Sequence, residues 1–425
     1  MTPAPVSAET IGELATTRPA AAGTAALRAA LHARRMLLLK AALVRVERAR
    51  ASLAPAVRAR FEADWALLER AERADPVAVR DLVDYPMTGA WLGAVLAAGE
   101  GPGLAGRLPY LTGLALAAAA RAGASVEGER AVPSGRLVLP GLGVLYCPSG
   151  RALLGGRPGL VRVTDAAGAA EVLLARPGPG TRRPARGGTG WLGLRELPGS
   201  AVLLDDLDPY RVPAHGIGPE ALPAARRPDT APGAWAARWL AARALLSATD
   251  PARAVETGAV LRAVVPLAPS GRPGGPLISA TLRAAPGALL SQLPGDAGDL
   301  AEALVHETQH TKLATLHDVV PLYRPSGALY RVGWRSDLRP VSGVFQGVYA
   351  HLALADLWRR ARSGSVLAYG WRDRAERRFD THWDQVGEAL SLLRKSDELT
   401  FVGREFVQEM ERHHAGLGVA ARSSG

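Results

Sequence analysis

The segment from Asp299 to Tyr323, DLAEALVHETQHTKLATLHDVVPLY, constrains this chain more than any other. Asp299 and Glu302 stand three residues apart, the spacing of an N-terminal capping box, and Pro321 stops the run. The segment is therefore expected to be one long capped helix. Inside it lies His306-Glu307-Thr308-Gln309-His310. Histidines four apart on a helix sit one turn apart on one face, so both imidazoles can reach a single divalent ion. The plain alternative is two polar positions on a helix surface.

A metal needs at least a third protein ligand. His317 shares the face of His310 but lies two turns on, about 10 Å along the axis. A metzincin would place glycine at position 313 and histidine at 316, where this chain has Leu313 and Leu316. His351 lies in VSGVFQGVYAHLALADL (341–357), which reads as a second helix, and it is the preferred third ligand. Glu376 and Glu388 are carboxylate alternatives. Of the nine histidines, 306, 310, 317 and 351 crowd together, which favours a site over scattered surface positions. His413-His414 is expected to belong to a frayed helix tail.

Around this segment the pattern predicts an α+β protein, predominantly helical, with a β-rich middle and the metal site between two C-terminal helices. Residues 1–130 read as a helical region. From 131 to 212 short apolar runs punctuated by Gly, Pro and Ser read as strands and turns. Residues 213–235 form a Pro-rich connector, and 236–425 the metal-binding catalytic region. Asp205, Asp206 and Asp208 could hold a hard cation, although a polar turn closing a strand explains them as well. PGPGTRRPARGGTG (177–190) reads as a flexible basic loop by composition.

Composition narrows the partners. The net charge is +11, but only Lys40, Lys312 and Lys395 are lysines among the 51 basic residues, there is no asparagine, and isoleucine occurs three times. That arginine excess looks like GC-rich coding, and aromatics do not interleave with basic runs, so nucleic acid is not an expected partner. The absence of an eighteen-residue uncharged apolar run argues against a membrane span, and the N-terminus does not read as a signal peptide. The single cysteine, Cys147, excludes an internal disulfide and a multi-cysteine metal site. A cytoplasmic soluble protein is expected.

LAEALVHETQH, the DVVPLY ending and WRSDLRPVSGVFQGVYAHLALADLW together resemble the HExxH-motif family of α-ketoglutarate-dependent peptide β-hydroxylases. SATLRAAPGALL (279–290), DDLDPYR (205–211) and the N-terminal LHARRMLLLKAAL are also similar, but the specific motifs sit in 277–358. The resemblance implies Fe(II) held on one face by His306, His310 and His351, with positions open for α-ketoglutarate and O2. It implies a ribosomally synthesised precursor peptide as substrate, hydroxylated at a side-chain β-carbon. The far carboxylate of α-ketoglutarate needs a cation; Arg335 and Arg339 match the family segment, and pairing with Asp337 or Asp318 is their structural alternative. Glu307 would be the general base in a zinc-dependent HExxH metallopeptidase, or a ligand or supporting residue in an oxygenase. A non-enzymatic peptide-binding protein with a structural metal is the third reading.

Overall fold

The computed structural model describes residues 6–176, 185–270, 277–324, 326–364 and 370–422. Its helices, in chain order, are α1 (Ala8–Ala15), α2 (Ala21–Arg48), α3 (Pro55–Ala74), α4 (Pro76–Val83), α5 (Pro86–Ala97), α6 (Pro102–Ala105) and α7 (Pro109–Ala122). They continue with α8 (Pro232–Thr249), α9 (Pro251–Val260), α10 (Ala297–Val319), α11 (Val341–Ser363), α12 (Trp371–Arg394) and α13 (Phe401–Arg422). The fold is α+β, mainly helical, with several antiparallel sheets. Among the described residues no helix is long and apolar enough to cross a membrane.

The chain divides into two compact units: 1–31, 197–202 and 231–425 form one, 32–196 and 203–230 the other. The four sequence segments map onto these two. The helical region from 32 onward and the β-rich segment share a core, and the first 31 residues join the C-terminal region.

In the 32–230 unit, β1 (Gly128–Ala131), β4 (Arg151–Arg157), β5 (Leu160–Asp165), β6 (Glu171–Ala175) and β7 (Ala185–Gly187) form an antiparallel sheet in the order β1-β4-β5-β6-β7. Alternation along β5 and β6 turns Val161, Val163, Val172 and Leu174 inward. A second sheet joins β2 (Arg136–Leu139), β3 (Gly143–Tyr146) and β8 (Trp191–Gly193), and β9 (Arg195–Glu196) pairs antiparallel with β10 (Leu203–Leu204). Helix α7 is buried over nearly its whole circumference. It tolerates a strand against its backbone because of Gly113, where an added Cβ would stand 1.6 Å from the Val138 carbonyl oxygen. Residues 177–184 of the basic loop lie outside the described residues.

In the other unit, β11 (Ala263–Pro266) runs parallel to β13 (Ala288–Ser291), and β12 (Ser279–Ala280) pairs antiparallel with β13. Helix α10 packs against α8 and α11, and α11 against α12 and α13. Their apolar faces meet in a core that includes Leu313, Leu316, Val344, Phe345, Leu352, Val386, Leu390 and Phe406, joined by Leu14 and Leu27 from the N-terminal helices. The cap of α10 lies upstream of the expected position: Asp296 accepts a hydrogen bond from the Asp299 N–H at 2.8 Å. The expected frayed tail is also corrected. His413 lies in α13 with its side chain buried, and His414 donates from Nε2 to the Trp383 carbonyl at 2.8 Å.

The side of α10 away from its two motif histidines carries a buried charge cluster. Glu256 of α9 accepts from Lys312 Nζ at 2.6 Å, from Arg253 Nη1 at 3.0 Å and from Gln309 Nε2 at 3.2 Å. Arg253 also donates to the Thr17 carbonyl and lies 3.7 Å from Asp356 of α11. Burial alone would push the Glu256 carboxyl up, but attraction to Lys312 and Arg253 prevails and holds it below the usual range. Truncating one partner of such a pair leaves an uncompensated buried charge, at a cost of about 3–5 kcal/mol. Lys312→Met is therefore expected to lower the urea midpoint sharply. Glu256→Gln added to it should recover part of the loss, as read by equilibrium unfolding followed by circular dichroism; an unchanged midpoint for Lys312→Met contradicts the assignment.

Candidate metal centre

His306 and His310 project from the middle of α10, held there by burial of the neighbouring Val305, Glu307, Thr308 and Gln309. Their Nε2 atoms face each other at 2.9 Å, with ring planes nearly perpendicular at 89°. The Nδ1 of His310 lies 2.9 Å from Gln346 Oε1 of α11. A carboxamide oxygen only accepts, so His310 carries its proton on Nδ1 and a lone pair on Nε2. The contact between the two Nε2 atoms then requires the proton on His306 Nε2. A cation placed there would substitute for that proton.

The spacing tests whether a metal fits. Two nitrogens each about 2.1 Å from one ion are about 3.0 Å apart at a right angle and about 3.4 Å apart in a tetrahedron. The observed 2.9 Å is the length of the hydrogen bond between the two rings, and it brings both nitrogens within reach of one ion. The donor pair fits. A complete set is not closed: among the described residues no three His, Cys, Asp or Glu side chains are arranged to grip one ion.

The remaining imidazoles come from α11 and α12. The His351 ring lies 5.4 Å from that of His306, edge to face at 87°. Its Nδ1 is buried with no hydrogen-bond partner. His382 of α12 lies 4.9 Å from His351, and its Nδ1–H donates to the Arg378 carbonyl at 2.9 Å. On the α11 side, Trp334 stacks on His351 at 4.7 Å and 20°. Burial, first, and the neighbouring histidines, second, hold His306 and His351 well below the usual imidazole range. Burial likewise pushes His382 down to about 4. His306, His351 and His382 are therefore neutral at pH 7, the state in which imidazole binds metal.

Glu307 is buried, and its Oε2 has no hydrogen-bond partner. Its Oε1 accepts from Ser279 Oγ of β12 at 2.7 Å. Burial raises its pKa, partly offset by His310, Ser279 and Thr281. It ties α10 to the β-sheet.

The other sequence candidates are placed as follows. His317 accepts the Leu322 N–H at 3.1 Å and stacks on Tyr323, so it finishes the end of α10 and takes no part in the cluster. Glu376 and Glu388 are exposed on α12. Arg335 and Arg339 both clasp Asp337, at 2.9 and 3.1 Å, in exposed positions, and that shared pairing holds the Asp337 carboxyl at about 2. Asp318 pairs instead with Arg283.

Asp205, Asp206 and Asp208 are buried, and each is engaged by protein. Tyr85 donates to Asp205 at 2.6 Å, Tyr110 to Asp208 at 2.8 Å, and Arg195 and Arg227 grip Asp206. Burial and the neighbouring Asp205 push Asp208 up to about 8.

The sequence reading passed over His382, Trp334, Gln346 and Ser279. A signal for His382 was present: Ala375, Phe379, His382, Val386, Ala389 and Leu393 form one buried helical stripe, and a histidine on such a stripe faces the interior. No protein-family model matches the chain, and no curated protein matches it.

The buried histidines make stability depend on pH in a stated direction. His382 and His413 are both held near 4, against 6.5 in the unfolded chain. Between those values the unfolded state binds protons that the native state refuses, so stability is full above pH 6.5 and falls as the pH drops toward 4. The melting temperature of the metal-free protein relative to that of His413→Gln should hold level from pH 8 to 6.5 and decline below it. A difference that stays level down to pH 4.5 contradicts the burial of His413.

Proposed function

We propose that this chain is an Fe(II)- and α-ketoglutarate-dependent oxygenase that hydroxylates a side-chain β-carbon of a ribosomally synthesised precursor peptide. The observation that carries the reading is the facing Nε2 pair of His306 and His310, close enough to share one ion. The resemblance of residues 277–358 to the peptide β-hydroxylases supplies the cosubstrate and substrate class.

In this reading His306, His310 and an imidazole from the facing helix, His351, would hold the iron. Bound ferrous iron would supply oxygen activation coupled to the conversion of α-ketoglutarate to succinate and CO2. Gln346 keeps the proton of His310 on Nδ1, so that the Nε2 lone pair is presented. Glu307, bound to Ser279 through one oxygen, would support the histidine-bearing helix from the sheet side. Arg335 and Arg339 already bind a carboxylate, that of Asp337. The distal carboxylate of α-ketoglutarate would take its place between the two guanidinium groups.

Protein purified and reconstituted without oxygen is expected to bind one Fe(II) per chain. On admitting O2 it should form succinate from α-ketoglutarate, faster with a substrate peptide that gains one oxygen atom. His310→Ala should abolish both iron binding and succinate formation. Tight zinc binding with peptide cleavage, and no succinate, overturns the reading in favour of a metallopeptidase.

A further inference from the structure

We infer that Trp334 and His382 are positioning residues that fix the His351 imidazole by ring packing, in place of the hydrogen bond that ordinarily orients a metal-binding histidine. The inference rests on the metal reading above and adds how its third donor is held.

A ligating imidazole usually donates its second N–H to a carboxylate, a carbonyl or water, and this fixes both tautomer and ring plane. His310 follows that pattern through Gln346. His351 departs from it: its Nδ1 is buried and has no hydrogen-bond partner. No hydrogen bond at Nδ1 therefore sets its rotation. Its position is set by ring contacts, with the Trp334 indole 4.7 Å away and nearly parallel at 20°, and the His382 ring 4.9 Å away at 40°. His306 adds an edge contact at 5.4 Å.

Both supports are themselves anchored. His382 is 3% exposed, and its Nδ1–H is committed to the Arg378 carbonyl, which fixes the plane of that ring. The Trp334 indole lies over Gly347, one helical turn before His351 on the same face of α11. A Cβ at 347 would come within 2.5 Å of the indole. Glycine there is the cradle that lets a large aromatic ring lie against the helix and reach the imidazole one turn on.

The test is Co(II) binding to the full chain, measured by calorimetry and by the visible d–d spectrum, with circular dichroism to verify folding. Trp334→Ala and His382→Ala should each weaken Co(II) binding 10- to 100-fold, roughly the range for residues that orient a ligand. The spectrum should change with them. Trp334→Phe and His382→Phe keep an aromatic ring and should restore affinity to within a few-fold of wild type. Gly347→Ala leaves every ring in place chemically but displaces the indole, and should weaken binding as Trp334→Ala does. It also decides the matter should an alanine variant fail to fold.

Wild-type affinity in both alanine variants overturns the inference. So does a His382→Phe protein as weak as His382→Ala, which would make His382 a donor and not a support. Failure of the wild-type chain to bind Co(II) at all sinks the metal reading itself and is distinct from both.

Discussion

Glu256 is the point on which the unit containing α8 to α13 depends. One buried carboxylate receives Lys312 and Gln309 from α10 and Arg253 from its own helix, and Arg253 in turn reaches the backbone at Thr17 and approaches Asp356 of α11. Ions buried to this degree are stable only when each is matched, so the cluster tolerates very little sliding of α9, α10 and α11 past one another. Lys312 stands two residues after His310. Fixing one side of α10 by charge therefore fixes the rotation of the other side, where the imidazoles lie. The apolar core could accommodate a small slip of these helices more cheaply; the charge cluster sets their register.

On the opposite side of the helix the same economy of polar groups is visible. His310 uses both ring nitrogens, one toward Gln346 and one toward His306. Glu307 accepts a hydrogen bond from Ser279 and so links the helix to the sheet. Arg335 and Arg339 share Asp337. The functional groups of the region are thus held in place by one another, and a cation between His306 and His310 would replace a proton in an arrangement already formed.

Much of this was legible in the sequence because it is local. The His306-His310 spacing, the apolar flanks of α10 and the long amphipathic run of α11 are properties of consecutive residues, and the short strands of the middle segment announce themselves by alternation and glycine. What was not legible is set by distant partners. His382 lies in RDRAERRFDTHWDQ, where charged residues on the solvent face obscure a buried stripe of one residue per turn. The first 31 residues join the C-terminal unit because Leu14 and Leu27 enter the core of Phe406 and Leu316, a pairing across nearly the whole chain. The cap at Asp296 was masked by Asp299, a residue of the same type three positions on. The acidic run at 205–208 announces carboxylates but not Tyr85 and Tyr110, which approach from far upstream and take them into the interior.

That acidic turn has a consequence of its own. With Asp208 displaced to about 8 and Asp205 raised beside it, the 32–230 unit carries an acid proton at neutrality that its unfolded chain, with carboxyls near 3.8, would release. That unit therefore loses stability as the pH rises from about 3.8 through about 8, whereas the imidazoles of the other unit lose it as the pH falls from 6.5 toward 4. Over the mildly acid range the two halves of the polypeptide pull against each other, and each blunts the other's response to hydrogen ions.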